Sequence, residues 1–177
     1  MRYAALLRGI NVGGNKKVPM ADLRAMLAGL GYQDVVTHLQ SGNAVFSSEL
    51  PPADLEREIA AAVQDRINVS CSVLVRTGAE LADAASRNPL GGEPANPSRY
   101  FVAFLSGEPD KDKAAAVTAM SFDPDKLWIL GREAYLWCPQ GAADARLSGA
   151  VLEKHLGVRA TARNWNTVTK LVALTTG

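Results

Sequence analysis

The sequence predicts an α+β chain made of two similar halves, and three observations carry that prediction. Apolar runs of strand length alternate with helical periodicities in the order βαββαβ over the first part of the chain. The order βαββα then returns after an eleven-residue stretch, Asn88 to Ser98, that holds three prolines and two glycines. The helical stretches are apolar along one side, so each sheet is expected to carry its helices on one face. The βαββαβ order is that of ferredoxin-like units, antiparallel or mixed sheets with helices packed on them. The expected division is an N-terminal ferredoxin-like half at 1–90, a linker at 91–98, and a C-terminal ferredoxin-like half with a terminal helix at 99–177.

In chain order, the short apolar run Tyr3 to Leu7 reads as a buried strand over residues 2–8. A helix follows from Pro19 to Leu30, with Met20, Leu23, Leu27 and Leu30 on one side and Gly29 and Gly31 as its stop. Strands at 35–39 and 44–47 flank Gln40-Ser41-Gly42-Asn43, a hairpin signal. Pro51-Pro52 opens a second helix with Leu55, Ile59, Ala62, Val63 and Ile67 inward, and Val69 to Val75 is a β-branched strand. A helix at 78–87 precedes the proline-rich stretch. After it come a strand at 100–105 and a helix at 110–120 with Ala114, Val117 and Met120 inward. Strands at 127–130 and 135–138 and a helix at 147–156 ended by Gly157 complete the second pattern. Asn164 is a good N-cap for a last helix with Trp165, Val168, Leu171 and Val172 as its apolar stripe. The two halves share an element order without a convincing residue-level repeat.

Composition is that of a soluble globular chain: 47% hydrophobic and 21% charged. No apolar run approaches the roughly 18 residues of a membrane span, and the first run is too short for a signal-peptide core. The expected compartment is the cytoplasm, with Cys71 and Cys138 as buried thiols inside strands. Two dispersed cysteines and two dispersed histidines exclude a zinc pattern. The net charge of +1 conceals an asymmetry: residues 1–25 and 146–177 each hold five basic side chains and one acid. If the two ends meet, they form a basic face that steers anions. Asp110/Asp112 and Asp123/Asp125 are explained by capping and solvation.

The strongest candidate site is the loop after the first strand, Arg8-Gly9-Ile10-Asn11-Val12-Gly13-Gly14-Asn15-Lys16-Lys17. A strand, a glycine-rich basic loop and a helix start suit an anion, because their N–H groups point outward. Gly9 and Gly14 have the spacing that begins a Walker A loop, but Asn15 intervenes, Lys16 comes one place late and Val18 follows Lys17, with no hydroxyl where one is required, so that class is disfavoured. Gln40, Ser41 and Asn43 supply further polar groups; a nucleophilic Ser41 lacks a nearby base, since His38 shares a strand face with Gln40 instead. Arg163, Asn164 and Trp165 could stack on and pair with a phosphate-bearing ligand beside a second helix start.

The segments Leu7 to Gly14, Gln40 to Phe46 and Thr161 to Leu171 together resemble a bacterial family catalogued as a domain of unknown function, DUF1697. The resemblance spans essentially the whole chain. It implies an α+β fold of two ferredoxin-like halves in a small, soluble protein, and no established activity. The usual loop of that family reads Gly-Gly-Lys-Asn-Lys-Val-Pro, whereas here it is Gly14-Asn15-Lys16-Lys17-Val18-Pro19, with one lysine shifted by a position.

These readings lead to an expected binding module for an anionic, phosphate-bearing ligand held by Arg8, Asn11, Gly13, Gly14, Lys16 and Lys17. The competing classes are an enzyme acting on such a ligand, with Asn11, Ser41 or Asn43 as positioning groups, and a protein-partner or structural domain. A phosphate-bearing small molecule is favoured over nucleic acid, because no strand carries the alternating aromatics of RNA-binding sheets. No membrane partner, cofactor, metal or oligomeric state is assigned from sequence.

Overall fold

The computed structural model describes residues 1–12, 14 and 17–177. The chain divides into two compact units, Met1–Ala82 with Leu171–Gly177, and Asp83–Lys170.

The first unit carries β1 (Arg2–Arg8), α1 (Met20–Gly29), β2 (Gln33–His38), β3 (Asn43–Ser47), α2 (Pro52–Ile67) and β4 (Ser72–Thr77). Its sheet runs β2-β3-β1-β4, with each pairing antiparallel. Odd-numbered β1 residues Tyr3, Ala5 and Leu7 join Leu23 and Leu27 of α1 and Leu55, Ile59 and Val63 of α2 in one core. That is the strand period of two meeting the helical period. Truncating a fully buried leucine such as Leu27 to alanine costs about 2–5 kcal/mol. Ala4, Leu6, Val45 and Leu74, on the other face, are buried as well.

The second unit carries β5 (Tyr100–Leu105), α4 (Lys111–Ala119), β6 (Lys126–Leu130), β7 (Glu133–Trp137), α5 (Gly149–Leu156) and β8 (Ala160–Asn164). Its sheet runs β6-β7-β5-β8, again antiparallel throughout. Val117, Leu152 and Leu156 of the helices pack with Ala103, Leu105, Ala134 and Leu136. Both sheets have the ferredoxin-like order. The last helix of each half, α3 (Gly78–Ser86) and α6 (Trp165–Thr176), is cut by the division into units. The proline-rich stretch 91–98 therefore lies inside the second unit, away from the division.

Several expectations need correction. The second half has a fourth strand, β8, which the sequence reading left out; Ala160, Ala162 and Arg163 are poor strand formers, and their pairing with β5 makes the strand. Met120 does not face inward but is 45% exposed, because α4 ends at Ala119 and Met120 leaves the helical phase with ψ 149. Asp125 is buried rather than solvated, and its Oδ2 accepts the N–H groups of Arg146 (2.5 Å) and Leu147 (3.0 Å). Cys138 is buried but Cys71 only half-buried, and both lie just outside strands.

Register also reveals a residue-level repeat. Ala4 of β1 pairs with Arg76 and Val45, and Val102 of β5 pairs with Arg163 and Tyr135. Both arginines are buried. Each is followed by a helix cap: Thr77 Oγ1 accepts the Glu80 N–H at 3.1 Å, and Asn164 Oδ1 accepts the Thr167 N–H at 3.0 Å.

Candidate functional site

The loop after β1 stands on two buried feet, Ile10 and Val18, with Val12, Gly14 and Lys17 exposed between them. Asn11 ties the feet together. Its Oδ1 accepts the Val18 N–H at 2.8 Å, and its Nδ2 donates to the Val18 carbonyl at 3.0 Å and the Gln40 carbonyl at 2.7 Å. Asn11 does this from a left-handed backbone, φ 54, which asparagine tolerates better than most residues. Val12 is 60% exposed, and Gly14 and Lys17 project into solvent. Gly13, Asn15 and Lys16 lie outside the described residues.

The β2–β3 hairpin supplies the neighbouring wall. Asn43 is fully buried, and its Nδ2 donates to the His38 carbonyl at 2.7 Å and to Ser41 Oγ at 3.1 Å, closing the turn. The turn packs on the loop through Gly42, where a Cβ would come within 2.6 Å of Ile10 Cδ1.

Between loop, hairpin and helix lies a cleft of about 650 Å³ lined by Asn11, Gly14, Lys17, Pro19, Met20, Ala21 and Gln40. Pro19 occupies the N-cap of α1, and no side chain caps the helix. The N–H groups of its first turn therefore keep the partial positive charge of a helix start, and Asp22 is the acidic residue in that turn. Arg8, Ser41 and Asn43 stand outside the lining of the cleft. Arg8 is half-buried at the end of β1, opposite Ser72 and on the sheet face of Ala4 and Leu6. Met20 and Ala21 were missed by the sequence reading; the signal was the helix start at Pro19.

Arg163, Asn164 and Trp165 belong to the second unit, where each has an internal role. Arg163 Nη1 donates to the Ala162 carbonyl at 3.0 Å, and burial lowers its guanidinium to about 10. Asn164 caps α6, and Trp165 is buried, with Nε1 donating to Glu93 Oε2 at 3.1 Å and its ring 5.4 Å from Tyr100. Among the described residues, no group of three His, Cys, Asp or Glu could hold a metal ion, and no helix is long and apolar enough to cross a membrane.

Comparison with solved structures finds the conserved bacterial protein SP0830 from Streptococcus pneumoniae, 26% identical, with a TM-score of 0.72 over 98% of both chains. No curated protein sequence matches this one. A family model described as protein of unknown function (DUF1697) matches residues 1–135, and the chain belongs to that family.

Proposed function

We propose that the chain binds an anionic, phosphate-bearing organic molecule in the cleft beside the 9–18 loop. The observation that carries this reading is the start of α1: it has no side-chain cap and borders the same cleft as Lys17. An anion there meets helix N–H groups and an ammonium at once. Pro19, Met20 and Ala21 add an apolar wall, which suits the organic part of a phosphorylated molecule better than a bare ion. Gly14 and Lys17, with Gly13 and Lys16, form the cradle in this reading; Asn11, Gln40 and Asn43 hold its shape. Arg8 adds positive charge at the end of β1. The reading places the protein in the cytoplasm, where Cys71 and Cys138 persist as free thiols.

A thermal-shift panel of nucleotides, sugar phosphates and oligonucleotides, run at low and high salt, tests this. Stabilisation by one class of phosphorylated metabolite is expected. A strongly salt-dependent shift with oligonucleotides alone would redirect the reading to nucleic acid, and no shift with any member would remove it.

A further inference from the structure

The two sheets end in four edge strands, and their edges are not treated alike. On β4 the Val75 N–H is taken by Glu56 Oε1 at 2.9 Å, and on β8 the Ala160 N–H is taken by Glu153 Oε1 at 2.8 Å. β2 is interrupted by an irregularity between Gln33 and Val36, where Asp34 has φ 52. Carboxylate caps, bulges and inserted charges are the usual guards against strand addition. β6 has neither a carboxylate cap nor a bulge among the described residues. It is a regular five-residue edge, Lys126-Leu127-Trp128-Ile129-Leu130. Its one charged residue, Lys126, stands at its first position, and Arg87 Nη1 donates to the Leu130 carbonyl at 3.5 Å at its last.

Exposed apolar groups gather around this edge. Leu130 within it is 38% exposed, and Leu90 and Met120 are 42% and 45% exposed. A cleft of about 350 Å³ flanks β6 beside Met120, Phe122 and Leu127, and another of about 290 Å³ lies beside Leu90, Trp128 and Trp137. An edge with clefts beside it is what an added strand needs, because its alternate side chains point to opposite faces.

The register identifies the occupant. Gly131 and Arg132 form a two-residue turn with Gly131 at φ 62, so Leu130 and Glu133 are its hydrogen-bonded flanks. Alternation then gives Trp128 and Lys126 inward bonds to β7 and turns the N–H and C=O groups of Leu127 and Ile129 outward. Under a two-fold axis through Trp128, the five residues overlap completely with a second β6. Leu127 of one copy and Ile129 of the other form the hydrogen-bonded pairs. Trp128 meets its own copy at the close, non-bonded position, and Lys126 lies opposite Leu130, so no like charges face each other.

We infer that β6 is an isologous dimer interface: two copies of the chain join edge to edge and fuse their second sheets into one eight-stranded sheet. Sedimentation velocity of the full chain over a range of concentrations tests this, and a concentration-dependent dimer is expected. Leu130→Lys sets ammonium against ammonium and should weaken the dimer at least about tenfold; adding Lys126→Glu to that variant makes an opposite-charge pair and should restore it. Both positions are exposed, and far-UV circular dichroism verifies that the variants fold. A chain that stays monomeric at the highest soluble concentration overturns the inference. So does a dimer indifferent to Leu130→Lys, one not restored by the second change, or a monomer whose β6 binds extended peptides instead.

Discussion

Asn11 holds Val18 by both of its backbone groups, accepting the N–H at 2.8 Å and donating to the carbonyl at 3.0 Å. One side-chain amide thus mimics a strand partner and closes the base of the loop. Asn11→Ala removes these bonds and the one to Gln40, and leaves part-buried backbone groups to find other partners. The expected loss is about 1–3 kcal/mol in urea-induced unfolding. A loss within about 0.5 kcal/mol of zero, the range of ordinary surface changes, would mean the clasp does not hold the loop.

Gly42 and Gly9 separate backbone strain from crowding. Both have positive φ, 93 and 85, but a Cβ at Gly9 meets nothing within 4 Å, whereas at Gly42 it meets Ile10 and the Leu7 Cβ. Gly9→Ala should cost about 1–2 kcal/mol for the backbone alone. Gly42→Ala should cost a further 1–3 kcal/mol or so of overpacking. Equal losses in parallel denaturation curves would show that loop and hairpin do not depend on this contact.

Cys138 sets an alkaline limit. Burial, with the Asp125 carboxylate as a lesser cause, pushes its thiol from 9.0 up to about 12. Above pH 9 the unfolded thiol ionises while the folded one keeps its proton. The folded state then binds more protons, and the stability present below that pH falls as it rises toward about 12. Unfolding midpoints should decline across this window and decline less in Cys138→Ala. In the folded protein near about pH 8, a thiol reagent should label Cys71 well before Cys138. Equal labelling rates would show that the Cys138 site opens readily.

The parts of the fold legible in the sequence are those set by local pattern. β1, α1, α2 and α5 follow from period and punctuation, and Asn164 declared itself as a cap. What stayed hidden depends on distant partners. β8 exists because β5 pairs with it, and Asp125 is buried because the Arg146 and Leu147 N–H groups reach it from the other side of the β6–β7 hairpin. The repeat was masked because equivalent positions kept their burial and changed identity, as in Ala4 and Val102. At the site, the sequence located the loop but not the duties of its asparagines. Asn11 and Asn43 have polar side chains in a glycine-rich setting, which suggests a ligand, yet both donate to neighbouring backbone carbonyls.

The most direct test of the anion site is a titration of inorganic phosphate and phosphorylated metabolites against the wild type and a Lys16→Ala/Lys17→Ala variant, read by thermal unfolding. The account expects the empty variant to be as stable as the wild type or more so, because a cation beside an uncapped helix start, as Lys17 is, opposes its dipole. It also expects the wild type to gain about 1–3 kcal/mol at roughly 10- to 100-fold excess of ligand over its dissociation constant, and the variant to gain none. An equal gain in both proteins, or a variant destabilised without ligand, would contradict it.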